Sequence, residues 1–235
     1  MPTQFIKLQS IAADAFEFTA AHAQPENHRI AGLIVLQEIF GLDSYVQRDV
    51  ERWSQLGFEV LAPSLFDRTE PGYLRGHDAK GFADGLSAAA HTPTDTALAD
   101  IASCIAFLQP RGLVCLVGYC YGGTLAWKAA AQLPGLAAVS SYYGSGVAAA
   151  AQLTPQCPLI CHFGAKDAHI PAAAVAASLQ AAQPKVPVYV YPNSGHGFNN
   201  DGAAEADRDD AALARVRTLK LFQQAALDAS GTASD

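Results

Sequence analysis

Residues 113–133 constrain the fold of this 235-residue chain more than any other stretch. The stretch begins with a branched, apolar run at 113–117 that has no polar alternation, as expected of a strand buried on both faces of a parallel sheet. Helix-forming residues then run from 124 to 133 and end at Pro134. The pattern predicts a buried strand, a tight turn and a helix, which together form the building unit of an α/β fold.

The turn between this strand and helix has the spacing Gly118-x-Cys120-x-Gly122. This is the spacing of a nucleophile elbow, with cysteine where serine is commoner. Side chains at the glycine positions would collide with the neighbouring strand and helix. We therefore expect Cys120 at the end of a strand and at the amino terminus of a helix, whose partial positive charge favours a thiolate. A structural cysteine beside a glycine-rich helix start is the alternative.

Composition and charge exclude several classes of function. Hydrophobic residues make up 50% of the chain, charged residues 16%, and the net charge is -7. An acidic chain without a basic stripe predicts no nucleic-acid partner. We also expect no membrane partner and a cytoplasmic location, because residues 1–10 do not resemble a signal peptide and no apolar run approaches about 18 residues.

The length fits a single α/β domain over residues 1–235, with a frayed tail after about residue 229. A monomer or a weak homodimer is expected, because no long exposed apolar stripe is evident. The chain has an odd number of cysteines and no CxxC pair: Cys104, Cys115, Cys120, Cys157 and Cys161. These do not form a disulfide framework. Cys157, Cys161 and His162 lack an evident fourth ligand, so we predict no metal and no cofactor.

Strands and helices alternate through the rest of the chain. The predicted strands are 5–8, 15–19, 30–37, 58–62, 113–117, 137–143, 159–163 and 186–191. The first two form an antiparallel pair, and the others predict a mostly parallel sheet with helices on both faces. Helices are expected from Asp43 or Ser44, from about residue 94, from Pro171 and from about Asp207. A weak helix at 77–91 is expected to be broken by Gly81 and Gly85.

Asp167 and His196 each follow a predicted strand, as Cys120 does. The carboxyl ends of neighbouring parallel strands meet at one edge of a sheet, so the three side chains are expected to lie together. Their chain order of nucleophile, acid and histidine is that of α/β-hydrolases. Taken separately, Asp167 fits a helix cap before Pro171 and His196 fits a turn between glycines. The occurrence of all three residues after predicted strands and in this order favours a catalytic triad.

Four motifs resemble those of the dienelactone hydrolase family: Gln37-Glu38-Ile39-Phe40-Gly41, Gly118-Tyr119-Cys120-Tyr121-Gly122-Gly123, Gly164-Ala165-Lys166-Asp167 and Gly195-His196-Gly197-Phe198. The resemblance spans nearly the whole chain and implies an α/β-hydrolase fold with a Cys-His-Asp triad and no metal. It makes Cys120 the nucleophile, His196 the base and acid, and Asp167 the residue that orients His196. Glu38 resembles the family's glutamate that accepts the thiol proton when substrate arrives. A carboxylate bonded within its own loop is the alternative for Glu38.

The resemblance implies hydrolysis of a carboxylic ester or lactone through a cysteine acyl-enzyme. Backbone N–H groups of Tyr121 and Ile39 are expected to stabilise the oxyanion. Because thiolate leaves a tetrahedral intermediate more readily than alkoxide does, enol and aryl esters should be cleaved well and amides hardly at all.

Substrate binding is where the chain departs from the family. Members that act on carboxylated dienelactone hold the carboxylate with two arginines. Asn200 stands at one of these positions, and the other falls near residues 78–80, with Arg75 and Lys80 as possible substitutes. A neutral substrate is therefore expected. The proposed substrate contacts are Phe40, Tyr73, Arg75, Phe198 and Asn200, with Phe66, Phe82, Tyr121 and His77 as further candidates. The irregular stretch at 64–76 has the length of a functional or mobile loop.

Other functions stay open at this stage. The same acyl-cysteine forms from a thioester, which predicts thioester hydrolysis or acyl transfer. Phosphotriester cleavage by the same nucleophile is a further alternative. From other classes, the chain fits a catalytically silent binding protein or a redox sensor that uses the thiol of Cys120.

Overall fold

The structure is a computed structural model that describes residues 3–202 and 206–231. Its strands are β1 Gln4–Gln9, β2 Glu17–Ala23, β3 Ala31–Leu36, β4 Phe58–Pro63, β5 Val114–Tyr119, β6 Leu136–Tyr142, β7 Leu159–Gly164 and β8 Val188–Tyr191. Its helices are α1 Ser44–Gln55, α2 Ala79–His91, α3 Thr94–Leu108, α4 Tyr121–Gln132, α5 Ala172–Ala182 and α6 Arg208–Gly231, with a 3₁₀ turn at Gln109–Arg111. The chain divides into two compact units, Met1–Leu116 and Val117–Asp235, whose boundary falls within β5.

The first unit contains strands in the order β1-β2-β4-β3. β1 and β2 are antiparallel, as predicted, and β3 and β4 are parallel. β2 continues four residues beyond the predicted end at Thr19, because residues 20–23 pair antiparallel with β4. The alanines in this segment have weak strand propensity, so sequence patterning alone stops the strand too early. Asp43 caps α1, as expected, by accepting a hydrogen bond from Val46 N at 2.9 Å.

α2 is one continuous helix, so the expectation that glycines break it was wrong. A Cβ added to Gly81 would lie 1.9 Å from the carbonyl oxygen of Gly76, and one added to Gly85 would lie 2.6 Å from that of Ile39. The glycines instead allow the helix to pack directly on neighbouring backbone. The close approach at Gly85 fixes the peptide at Ile39.

The second unit contains the parallel strands β6, β7 and β8 in that order. Helix α4 packs on β6, as does α6, and α5 packs on β8. α4 begins three residues before the predicted start, because the elbow residues already have helical geometry. The helix predicted from about Asp207 is α6, and it extends to Gly231. Most of the tail expected to fray, residues 232–235, lies outside the described residues.

The alternation of strands and helices, with parallel pairing of β3 with β4, β6 with β7, and β7 with β8, confirms the predicted α/β class. The antiparallel opening pair is also confirmed. Within residues 3–202 and 206–231, no helix is both long and apolar enough to cross a lipid bilayer.

Candidate active site

Cys120 occupies the turn between β5 and α4. Its φ is 52° and its ψ is -111°, a backbone conformation that non-glycine residues rarely adopt. The Cys120 N–H donates to the carbonyl of Tyr142 at 3.0 Å, and the Cys120 carbonyl accepts from Thr124 N at 3.1 Å. These bonds hold the strained residue in place as the N-cap of α4. Strain of this kind persists only where the surrounding structure enforces it, and it often marks a functional site.

The glycines of the elbow leave no space for side chains. A Cβ on Gly118 would lie 2.1 Å from the carbonyl oxygen of Gly122, and one on Gly123 would lie 2.3 Å from that of Tyr142. The predicted collision is therefore confirmed at Gly118, and Gly123 is a further position with no room for a side chain. The backbone of α4 therefore begins directly against the end of β5.

His196 lies between the thiol and a carboxylate. Its Nε2 is 3.1 Å from Cys120 Sγ, and its Nδ1 is 2.8 Å from Asp167 Oδ2. The side chain of His196 is 21% exposed and that of Asp167 is fully buried. The three side chains predicted to converge therefore form one hydrogen-bonded line within the second unit.

Asp167 contacts His196 and the turn that follows it, and the alternative of a helix cap was wrong, because the N-cap of α5 is Pro171 and has no side-chain cap hydrogen bond. Oδ2 accepts from the His196 ring, while Oδ1 accepts from the backbone N–H groups of His169 at 2.8 Å and Ile170 at 3.0 Å. Burial by itself would raise the pKa of Asp167. The hydrogen bond and charge of His196 and the two N–H groups outweigh it, so the pKa lies below its ordinary value. The carboxylate is therefore ionised at neutral pH.

The pKa of His196 is raised to about 10. Burial by itself would lower this pKa, but the hydrogen bonds to Asp167 and Cys120 and the negative charge on both partners outweigh it. An imidazolium at His196 donates through Nδ1 to the carboxylate and through Nε2 to sulfur. The sulfur of Cys120 thereby faces a charged hydrogen-bond donor.

The loop that carries His196 is tied down by residues that sequence reasoning missed. Ser194 is fully buried, and its hydroxyl donates to Asp210 Oδ2 at 2.8 Å. Tyr143, whose φ is 36°, places its ring 5.1 Å from the His196 ring. The polar run before His196 drew attention to Ser194, but Asp210, its hydrogen-bond partner, lies in α6. Nothing in the local pattern predicted that pairing.

His162 and Cys161, once considered as metal ligands, lie in β7 and are fully buried. The His162 ring contacts the Tyr191 hydroxyl at 2.8 Å and Thr218 Oγ1 at 3.2 Å. Burial lowers the pKa of His162 to about 3, so this ring stays neutral. In the portion of the chain that the structure describes, no group of three His, Cys, Asp or Glu side chains is arranged to hold a metal ion.

Phe198 and Asn200, predicted to contact substrate, follow His196 in the second unit. Phe198 has no exposed surface and packs with ring-centroid distances of 5.0 Å to Tyr191 and 5.6 Å to Tyr143. Asn200 is 3% exposed, and its Oδ1 accepts from Gly202 N at 3.0 Å. Both side chains stabilise the chain that follows His196, and their contact with substrate stays a prediction.

The remaining predicted substrate contacts lie in the first unit. Arg75 pairs with Glu70 at 2.5 Å and with Asp84 at 3.0 Å, and its guanidinium lies 4.3 Å from the centroid of the Tyr73 ring. Lys80, the other possible cation, pairs with Asp84 at 2.6 Å. Both cations that were candidates for binding a substrate carboxylate therefore already have carboxylate partners.

Phe40 stacks on His77 with 3.9 Å between ring centroids, and His77 Nε2 lies 2.6 Å from Asp43 Oδ2. The neighbouring residues Glu38 and Ile39 are 5% and 4% exposed. The backbone of this loop is also held by Arg75 N, which donates to the Phe40 carbonyl at 3.0 Å. Tyr121, the other predicted oxyanion donor, is the first residue of α4. The catalytic roles of Glu38, Ile39 and Tyr121 stay predictions.

Comparison with known proteins agrees with this geometry. The sequence model of the Dienelactone hydrolase family matches residues 18–226. A presumed carboxymethylenebutenolidase from Synechocystis is 31% identical over 81% of this chain and 85% of its own length. The carboxymethylenebutenolidase of Pseudomonas putida is 29% identical over 94% of this chain and 97% of its own length.

A crystal structure of a presumed dienelactone hydrolase from Klebsiella pneumoniae subsp. pneumoniae superposes with a TM-score of 0.81 at 27% identity, covering 95% of this chain and 100% of that one. The expected α/β-hydrolase fold is thereby confirmed, and the activity class is that of a hydrolase of ester or lactone bonds. This chain belongs to the dienelactone hydrolase family.

Proposed function

We propose that the chain hydrolyses neutral, activated carboxylic esters or lactones through an acyl-enzyme on Cys120. The observation that carries this proposal is the line from Cys120 Sγ through His196 to Asp167, with distances of 3.1 Å and 2.8 Å. A nucleophile, a base within hydrogen-bond reach and a buried orienting carboxylate are the components of covalent acyl transfer.

The reaction begins with attack of the Cys120 thiolate on the substrate carbonyl carbon. The carbonyl π electrons move to oxygen, and the N–H of Tyr121 is the proposed donor to this oxyanion from α4. One such donor contributes about 3 kcal/mol in other enzymes. The C–O bond to the leaving group then breaks, and the imidazolium of His196 donates its Nε2 proton to the departing oxygen. An acyl thioester and an alcohol or enol result.

Deacylation uses the same groups in reverse. Neutral His196 removes a proton from water, the water oxygen attacks the thioester carbon, and the thiolate leaves as the carboxylic acid forms. Asp167 keeps the imidazole in one orientation and stabilises its charged form without taking the proton. The roles of Ile39 and Glu38 rest on the family resemblance.

Two observations support a neutral substrate. Asn200 stands where carboxylate-binding relatives are expected to have arginine, and its Oδ1 already accepts from Gly202 N. Arg75 and Lys80 already pair with Glu70 and Asp84. An anionic substrate would have to displace these carboxylates, and the net charge of -7 does not attract it.

The test compares steady-state hydrolysis of a neutral p-nitrophenyl ester with that of a carboxylated dienelactone. Cys120→Ala should abolish turnover, while Cys157→Ala, which removes another partly exposed thiol, should leave it unchanged. We expect a higher kcat/KM for the neutral ester. Preference for the dienelactone would overturn the substrate assignment, and activity retained in Cys120→Ala would overturn the nucleophile.

The leaving group supplies a second test. A tetrahedral intermediate expels the better leaving group, and thiolate leaves more readily than an amide nitrogen or a simple alkoxide. The enzyme should therefore cleave an aryl ester rapidly and the matching anilide hardly at all. Comparable rates for the two would contradict an acyl-cysteine mechanism.

A further inference from the structure

The loop that carries His196 is held from two sides through one residue, Ser194. On one side, the Ser194 hydroxyl donates to Asp210 Oδ2 at 2.8 Å, and Asn193 N donates to the same oxygen at 3.3 Å. Ser194 is fully buried and Asp210 is 9% exposed. Because both groups are shielded from water, loss of either partner leaves a buried polar group unsatisfied.

On the other side, the Ser194 carbonyl accepts from Lys166 N at 2.9 Å. Lys166 directly precedes Asp167, so this bond joins the loop of the base to the turn of the acid. The two backbones lie in direct contact, because a Cβ on Gly164 would be 2.4 Å from the Ser194 carbonyl oxygen and 2.5 Å from that of Gly195. The position of Ser194 therefore sets the separation between the two loops.

Asp210 is itself held firmly. It lies in the first turn of α6, and its N–H donates to Asp207 Oδ1 at 2.9 Å. A carboxylate at a helix amino terminus is favoured by the partial positive charge there. Helix α6 thus holds the His196 loop at Ser194, which is two residues before His196 in the chain.

We propose that Ser194 and Asp210 form a positioning pair that aligns His196 with Asp167 and Cys120. The proposal rests on the proposed function, because alignment matters only if His196 acts on Cys120. Neither residue contacts the triad side chains through its own side chain in the hydrogen bonds described here, so their effect is transmitted by the loop. A displacement of about 1 Å at such a site can lower the rate about 100-fold.

The experiment uses Ser194→Ala and Asp210→Ala, singly and together, with two readouts. The first is kcat and KM for a neutral p-nitrophenyl ester. The second is the rate at which iodoacetamide alkylates Cys120 at neutral pH, which depends on the thiolate and its imidazolium partner but involves no oxyanion. Circular dichroism and the melting temperature establish that each variant is folded.

Each single variant should lower kcat about 10- to 100-fold with KM changed less than about threefold. The alkylation rate should fall as well, and the double variant should be no worse than the poorer single one, because the two residues act as one unit. Asp210→Asn keeps an oxygen acceptor in the same place and should restore most of the activity. Asp209→Ala removes a charge from the same helical turn at an exposed position and serves as the matched control.

Unchanged kcat and alkylation in folded Ser194→Ala would overturn the proposal, as would an equal loss in Asp209→Ala. Failure of the proposed function gives a different result. If the wild type lacks ester turnover, slower alkylation in Ser194→Ala and Asp210→Ala still supports the positioning role, and unchanged alkylation refutes it.

Discussion

Two histidine–aspartate pairs in the part of the chain that the structure describes have nearly the same separation. In the second unit, His196 Nδ1 lies 2.8 Å from Asp167, and in the first unit, His77 Nε2 lies 2.6 Å from Asp43. Both carboxylates also accept backbone N–H groups, at a turn in one case and at the start of α1 in the other. Distance and backbone contacts therefore do not distinguish the pair proposed for catalysis from the other pair.

The surroundings of the second imidazole nitrogen and the degree of burial distinguish the two pairs. The remaining nitrogen of His196 faces Cys120 Sγ at 3.1 Å, whereas the face of the His77 ring stacks on Phe40. The side chains of His196 and Asp167 are 21% and 0% exposed, against 42% and 10% for His77 and Asp43. A buried pair interacts more strongly, because water screens it less. The proposed catalytic role of the His196 pair therefore rests on the thiol of Cys120 and on burial, and not on the separation of histidine and aspartate.

The largest expected effect comes from replacing the histidines. His196→Gln should lower kcat/KM for a neutral aryl ester about 10⁴-fold, because it removes both the proton donor and the partner of the thiolate. His77→Gln should change it less than about threefold, as expected of a partly exposed side chain that is not part of the proposed triad. Parallel steady-state assays measure both. A loss in His77→Gln as large as that in His196→Gln would erase the distinction between the pairs.

Replacing the carboxylates should give the next largest difference. In Asp167→Asn, an oxygen still accepts from the N–H groups of His169 and Ile170, so the turn persists while the charge facing His196 is lost. We expect kcat to fall about 10³- to 10⁴-fold, as in other triads. Asp43→Asn makes the same change in the structural pair and should leave kcat near that of the wild type. Equal losses of kcat in Asp167→Asn and Asp43→Asn would show that the substitution lowers activity by destabilising the protein.

The first unit should instead affect catalysis through its backbone. Gly85→Ala would bring a Cβ to 2.6 Å from the Ile39 carbonyl oxygen and 2.9 Å from the Ile39 Cβ, so the Ile39 residue would have to move together with its N–H. If Ile39 N–H stabilises the oxyanion, kcat should fall about 10-fold, more than in His77→Gln, while iodoacetamide alkylation stays unchanged. Gly76→Ala is the matched control, because a Cβ there meets no atom within 4 Å. Full activity in folded Gly85→Ala would remove Ile39 from the mechanism.

The pH dependence of stability should report the charge on the catalytic pair. The pKa of His196 is raised from 6.5 in the reference state to about 10 in the folded protein. Its contribution to the free energy of unfolding is therefore complete below about pH 6.5 and is lost as the pH rises towards 10. Urea unfolding should show that the stability advantage of wild type over His196→Gln shrinks across this range.

Cys120→Ala tests how much the sulfur of Cys120 contributes to the raised pKa of His196. Removing Sγ removes one of the two interactions that raise the pKa of His196, so its imidazole should titrate at lower pH in this variant. Nuclear magnetic resonance of the ring protons measures the titration. An unchanged value would mean that Asp167 alone accounts for the raised pKa.

The sequence predicted that Cys120, Asp167 and His196 lie together, because each follows a predicted strand and the carboxyl ends of neighbouring parallel strands meet at one edge of a sheet. The glycines around Cys120 have no room for side chains, and chain order placed Asp167 and His196 at ends of parallel strands. Family resemblance added roles for Glu38 and Ile39 that residue patterns alone do not give. The extension of β2 and the continuity of α2 were missed, since each depends on a neighbouring backbone that local propensity does not report.

The supporting contacts of the site were also beyond sequence reasoning. Ser194 and Asp210 are 16 residues apart, and nothing in their local patterns pairs them. His77 was considered only as a side chain that lines the site, and its pairing with Asp43 joins a loop to a helix cap 34 residues away. Such contacts depend on the register in which the elements pack, which becomes known only with the fold.

The two bonds to Asp167 Oδ1 have a consequence for the dynamics of proton transfer. In the proposed catalytic cycle His196 changes between charged and neutral forms, and in water each change would require nearby dipoles to rotate. Here the N–H groups of His169 and Ile170 already point at the carboxylate in the resting protein. These bonds hold the Asp167 carboxylate in place while His196 gains or loses its proton, so few dipoles have to reorient at each transfer. The N–H groups of the turn stabilise the charge of Asp167 without having to reorient.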